Sequence, residues 1–232
     1  GAYNAYPSGS FSSHYFGLTG GFGLDRNLDF LYSLPFVAQI DNNTSGNKKL
    51  YTVSGLGDAT IGLSKFLNDF DDDRHVSITG SLIIPLYTNQ GSPYPNIGYQ
   101  SFGGELKLGF SCNGRGGFRN PYYDIDFGVR QYFNGDGPTQ LFANITGGVP
   151  IDDYWKLSGT LSGVNSISNA TTTTTSNVFY NYNKSFSYVR LAANIGRTIN
   201  ENTSIWGGIY TDVLGASVGK GSGLSLSAVI KF

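Results

Sequence analysis

The chain combines 33 Gly, 16 Phe and 16 Tyr in 232 residues with only 13% charged residues and a formal net charge of −1. That is too aromatic for a disordered chain, and too rich in Gly, which costs about 1 kcal/mol per helix-interior site, for a helical one. A pI near 6.1 without a sustained Lys/Arg run lacks the footprint of a nucleic-acid binder, and a single cysteine, Cys112, without a Cys/His cluster excludes an internal disulfide and a structural zinc site.

Taken in order, the chain opens on a short, weakly alternating stretch at Ala2–Tyr6, the candidate for a first strand. From Tyr15 to Leu24 the alternation is strict, with Phe16, Leu18, Gly20, Phe22 and Leu24 on one face and Tyr15, Gly17, Thr19, Gly21 and Gly23 on the other. After Asp25-Arg26-Asn27 it resumes with Leu28, Phe30, Tyr32, Leu34, Phe36 and Ala38. The same period of two predicts strands near Gly57–Leu67, His75–Tyr87, Gln100–Cys112, Pro121–Phe133, Gln140–Ile151, Trp155–Ile167, Ser185–Ile199, Ser204–Leu214 and Gly223–Phe232. With Ala2–Tyr6 the count is about twelve, the even number that closes a bacterial barrel.

The connections alternate too. Asp25–Asn27, Asn68–Arg74, Asn113–Asn120, Asp152–Tyr154 and Asn200–Thr203 read as mostly compact turns; Asp41–Leu56, Thr88–Tyr99, Asn134–Thr139, Ser168–Lys184 and Gly215–Ser222 read as generally longer loops. No run of 18 apolar residues offers a transmembrane helix, but a closed barrel also satisfies every backbone group inside a bilayer. Short turns at one end and long loops at the other are the outer-membrane arrangement, with the turns in the periplasm. A soluble sandwich alternates as well, yet 13% charge leaves too little to solvate its exterior. The expectation is therefore an all-β, transmembrane, antiparallel up-and-down β-barrel, one domain over residues 1–232. It would lie in the outer membrane of a Gram-negative bacterium, and a chain that begins at Gly1 and contains no Met reads as one whose leader has been removed.

The closing segment carries Leu224, Leu226, Ala228, Ile230 and Phe232 at every second position back from a terminal Phe. This resembles the C-terminal signal by which barrels are recognised for insertion, and implies the barrel-assembly machinery as a partner.

Parity assigns the ionisable residues to the face away from lipid. The predicted lumen-lining set is Asp58, Glu105, Lys107, Asp124, Asp126, Arg130, Lys156, Arg190 and Asp212. A hairpin folding symmetrically between Gln100–Cys112 and Pro121–Phe133 puts Lys107 opposite Asp126, with Glu105 diagonal to Asp126 and Arg130. A turn centred on Glu201 puts Arg190 opposite Asp212. Alternating charge on a wall suits either a hydrated constriction or ion pairs that fill a narrow barrel, and Phe142, Tyr132, Trp206 and Tyr210 also point inward. On the other face Tyr32, Phe36, Tyr123, Phe133 and Trp155 lie towards strand ends, as interfacial girdles do, and Tyr32 covers Gly20 across the pair.

Catalytic chemistry is poorly supplied. Of the two histidines, His14 enters its strand on the lipid face beside Ser12 and Ser13, which keeps a lipid hydrolase as a distant third possibility; His75 lies by the acidic turn Asp71-Asp72-Asp73, which lacks the spaced ligand loop of a calcium site. No catalytic residue, metal or cofactor is assigned. The Asn-x-Ser/Thr matches at Asn42, Asn43, Asn144, Asn169, Asn183 and Asn202 read as ordinary polar residues.

Gly20–Phe36, Gly55–Leu67 and Ser77–Pro85 together resemble the outer-membrane family named for the meta pathway of phenol degradation, itself loosely related to the long-chain fatty acid transporters. The segment Gly55-Leu56-Gly57-Asp58 is the most distinctive part of the match, which extends in layout to the closing hairpin. The resemblance implies a channel for small solutes, hydrophobic or aromatic compounds among them. The alternative is a closed structural barrel serving as a subunit or anchor of a larger outer-membrane assembly. Membrane lipids and lipopolysaccharide are the expected surroundings, and nucleic acid is not a partner.

Overall fold

In a computed structural model of the chain, residues 9–43, 49–71, 73–90, 96–114, 120–133, 137–167, 186–216, 218 and 220–232 are described. They form twelve strands: β1 Gly9–Asp25, β2 Leu28–Asn43, β3 Lys49–Leu56, β4 Asp58–Asp71, β5 Arg74–Pro85, β6 Gly103–Asn113, β7 Tyr122–Tyr132, β8 Thr139–Pro150, β9 Trp155–Ser166, β10 Ser187–Asn200, β11 Thr203–Ala216 and β12 Ser222–Ile230. All belong to one curled antiparallel sheet in the order β1-β2-β4-β5-β6-β7-β8-β9-β10-β11-β12, with β3 paired to β2. Among the described residues no helix is long and apolar enough to cross a membrane.

The expected loop at Asp41–Leu56 is largely strand. β2 continues to Asn43, and its outer half pairs with β3 from Phe36 opposite Leu56 to Asn43 opposite Lys49. Its inner half pairs with β4 from Leu28 opposite Lys65 to Ser33 opposite Thr60. β3 and β4 are thus one run kinked at Gly57, whose N–H donates to the Pro35 carbonyl at 2.8 Å. Polar Asn, Thr and Ser residues hide this hairpin from a hydrophobicity pattern, but its inward residues Asp41 and Val53 are only 7% and 6% exposed. Counting β3 and β4 together leaves eleven columns, which correspond to the eleven strongly alternating segments of the sequence. Ala2–Tyr6 lies outside the described residues.

The two faces differ in chemistry. Along β6, Leu106, Leu108 and Phe110 are exposed, while Glu105, Lys107 and Gly109 between them are partly covered. The same parity puts Ile125, Leu141, Ile145, Leu157, Leu161, Leu191, Ile195, Ile205 and Ile209 on the outer face, all exposed. Among the described residues only Val53, Ile83 and Tyr132 are buried hydrophobics. The large apolar side chains therefore form a surface in place of a core. Water does not solvate a surface of that extent, whereas hydrocarbon does.

The compact turns are closed by their own side chains. Asp152 Oδ1 accepts the N–H groups of Tyr154 at 2.8 Å and Trp155 at 2.6 Å, and Asn200 Oδ1 accepts the N–H of Asn202 at 3.0 Å. Asp152→Ala is expected to destabilise the β8–β9 turn by about 1 kcal/mol, the net worth of such a bond. A lowered midpoint of guanidinium unfolding in micelles, with an unchanged slope, would show it.

At the opposite end lies the segment joining β5 to β6. Its described residues, 86–90 and 96–102, fold back over the inner face and are called the strap below.

Candidate functional site

The inner face is lined by hydroxyl, amide and charged side chains that partner one another. Thr79 Oγ1 donates to Ser64 Oγ at 2.9 Å, and the Thr146 and Thr160 hydroxyls share a bond of 3.0 Å. Into this wall the sheet sets three ion pairs among the described residues.

Glu105 on β6 lies directly opposite Arg130 on β7, and its Oε2 accepts both Arg130 Nε at 2.9 Å and Nη2 at 2.7 Å. Lys107 lies opposite Gly128 and reaches diagonally to Asp126 Oδ2 at 3.4 Å. This corrects the expected partners: Glu105 is the direct partner and Lys107 the diagonal one. The cause is the turn. β6 runs on to Asn113 opposite Tyr122, and Gly114 N–H donates to Pro121 O, which moves the register two residues from the symmetric fold. A shift of two keeps every side chain on its face and changes only who faces whom.

Arg190 on β10 lies opposite Asp212 on β11, as a turn centred on Glu201 requires. Arg190 Nε donates to Oδ1 at 2.7 Å and Nη2 to Oδ2 at 3.3 Å, while Gly221 N–H adds a third bond to Oδ2 at 3.0 Å. The guanidinium also lies 4.2 Å from the Tyr210 ring centroid and 5.3 Å from that of Tyr188; Arg130 lies 5.5 Å from that of Phe142. Each arginine is thus held by a carboxylate and an aromatic ring.

The other predicted residues are placed singly. Asp124 stands between Ser111 and Thr146 and is exposed; Lys156 stands between Pro150 and Gly196 and is exposed; Asp58 opens β4 opposite Pro85 and carries an Oδ1 that is buried without a hydrogen-bond partner. Trp206 covers Gly196 opposite it and donates Nε1–H to Ser204 Oγ at 3.2 Å; on the outer face Tyr32 covers Gly20. Leu224, Leu226, Ala228 and Ile230 share one face of β12, opposite Ile209, Gly207, Ile205 and Thr203. His14 is exposed on the apolar face of β1 opposite Ala38, and His75 packs edge-on against Phe66 at 6.0 Å. No group of three His, Cys, Asp or Glu that could hold a metal occurs among the described residues.

The strap supplies residues that the sequence pattern did not single out. Asn89 knits it together: its N–H donates to Gln100 Oε1 at 2.9 Å, its Nδ2 to Gly98 O at 2.9 Å, and its Oδ1 accepts Ile97 N–H at 3.0 Å. Gln100 takes a left-handed backbone at φ 52°, which turns its N–H onto the Tyr87 hydroxyl at 2.8 Å. That hydroxyl is in turn bonded to Asp58. Tyr99 lies against Tyr132 with ring centroids 4.5 Å apart and accepts Gln140 Nε2–H at 3.3 Å; Gln140 is 2% exposed. Burial pushes the Tyr87 and Tyr99 phenols above their usual range, so both keep their protons. The absence of hydrophobic alternation across 88–99 marks the segment as non-strand, and nothing in that pattern distinguishes a loop turned outwards from one turned in.

No family model matches the chain, and no curated protein matches it. Among solved structures it is similar to the crystal structure of an outer membrane channel from Pseudomonas putida F1, with a TM-score of 0.63 and 13% identity over 94% of this chain and 83% of that one. The likeness is one of fold: an all-β sheet of antiparallel strands curled as in that channel.

Proposed function

We propose that the protein is an outer-membrane β-barrel channel through which small solutes pass passively along the inner face. One observation carries this: over eleven columns most polar and charged side chains lie on one face and most large apolar ones on the other, inverted relative to a soluble domain. A bilayer solvates the outside, and the ion pairs stand in the hydrated interior. The channel named among the structural neighbours supports this reading. The rings of Phe142, Tyr188, Trp206 and Tyr210 on the inner face would let flat aromatic solutes stack on their way through. The reading assigns no catalytic role, no cofactor and a Gram-negative outer membrane as the location. The lipid-facing C-terminal residues would serve in insertion, and lipids and lipopolysaccharide would surround the barrel.

Purified protein in planar bilayers is expected to conduct, and Asp126→Asn to shift the reversal potential in a salt gradient towards anions. That substitution leaves Lys107 as an uncompensated positive charge on the wall. Protein that inserts and never conducts above background would remove the channel and leave the closed structural subunit. Co-purification of further outer-membrane subunits would then identify its assembly.

A further inference from the structure

The sequence segment Gly55-Leu56-Gly57-Asp58 lies outside the ion-paired wall, and its use becomes apparent at the strap. Three of its four residues face this inward segment or shape the wall beneath it. A Cβ at Gly55 would stand 3.3 Å from Ile97 Cδ1, so the bare backbone there makes room for the strap's isoleucine. Gly57 makes the kink that separates β3 from β4 and bends the wall under the strap. Asp58 takes the Tyr87 hydroxyl, and a Cβ at Gly98 would come within 3.1 Å of its Oδ2, so the strap backbone lies directly against the carboxylate.

Both ends of the strap are tied to the sheet. Leu86 N–H donates to Gly57 O at 3.3 Å, and Phe133 N–H donates to Phe102 O at 2.8 Å. In between, Tyr99 reaches across to Tyr132 on β7 and Gln140 on β8. The strap therefore crosses the inner face from the β3–β4 kink to β8 at the loop end of the strands. Irregular backbone is stable in such a position when it is buried in protein or lines a water-filled space, and here the Asn89 side chain satisfies the strap's own groups.

We propose that the strap is the constriction of the channel, that Gly55, Gly57 and Asp58 are its seat, and that it sets the upper size of the hydrophilic solutes admitted. This rests on the channel reading above. The strap sets the Tyr87 and Tyr99 hydroxyls and the Gln140 amide beside the Asp58 carboxylate, groups that exchange hydrogen bonds with water and with small hydroxylated solutes.

The test is the double variant Gly98→Leu/Tyr99→Ala. The leucine collides with Asp58 and Tyr87, and the alanine removes the hold on β7 and β8. Single-channel conductance is expected to rise at least two-fold, and proteoliposomes are expected to admit larger sugars than those carrying the parent protein. An inserted double variant with parental conductance and sugar cut-off overturns the proposal while the channel stands. If neither protein conducts, the channel reading fails and the constriction with it. Should the double variant not insert, Gly55→Cys/Ile97→Cys in a Cys112→Ser background reports docking directly. Cross-linking by a short thiol reagent in membranes, with conductance held at the parental value, supports a seated strap, and no cross-link overturns it.

Discussion

Asp212→Ala is expected to lower the stability of the folded protein by about 2–3 kcal/mol, below the full cost of breaking a buried pair because Arg190 is partly exposed. The Asp212 side chain is 5% exposed against 35% for Arg190. Its loss leaves the guanidinium with only the Tyr188 and Tyr210 rings, and leaves the Gly221 N–H without its acceptor. Asn at the same place still accepts from Gly221 and is expected to recover about half of the loss, since the neutral hydrogen bond survives and the charge pairing does not. Guanidinium unfolding in micelles, followed by tryptophan fluorescence, separates the two variants. Trp206 stands on the same strand and face as Asp212 and Trp155 is the only other indole, so the signal reports this wall. Equal stability for Ala and Asn would show that the hydrogen bond to Gly221 contributes nothing, and an Asn variant as stable as the parent would show that the carboxylate charge contributes nothing.

Arg130→Met is the second large effect, and it acts on selectivity. Glu105 accepts two bonds from this guanidinium, and its side chain is only 17% exposed. Methionine preserves the volume beside Phe142 and leaves Glu105 as a bare negative charge on the inner face. The permeability ratio of potassium to chloride is expected to rise several-fold, and the unfolding midpoint to fall. Glu105→Gln/Arg130→Met is expected to restore the parental ratio and most of the stability, with a coupling energy of about 1–3 kcal/mol in the double-mutant cycle. An additive cycle would mean that the two side chains act independently.

The contrast between these two pairs shows which parts of the fold could be read in advance. Side-chain parity survives any even shift of register, so the faces of Glu105, Lys107, Arg130, Arg190 and Asp212 followed from alternation alone. Partners did not follow so readily. Arg190 meets Asp212 because the turn after Asn200 is tight and centred where the polar residues are. Lys107 misses a position opposite Asp126 because the β6–β7 connection closes at Gly114 and Pro121, a geometry that no periodicity encodes. β3 was obscured by its Asn- and Thr-rich surroundings. The strap was hidden for a different reason: its position is set by long-range contacts between Tyr87, Tyr99 and the ends of distant strands, whereas its own sequence carries only local turn signals.

Eleven columns have a directional consequence. β1 runs from its long-loop end at Gly9 to the compact turn after Asp25, and β12 runs the same way from Ser222 to Ile230. Among the described residues their outer edges carry no strand partner. A seam made directly between them would be the one parallel seam in the wall, with slanted hydrogen bonds that are slightly weaker per residue. An antiparallel seam instead demands one more strand, pointing from the turn end to the loop end and bonded on both sides. Hydrocarbon tolerates neither edge left bare, so the handedness of traffic along these two strands dictates what kind of strand can complete the ring.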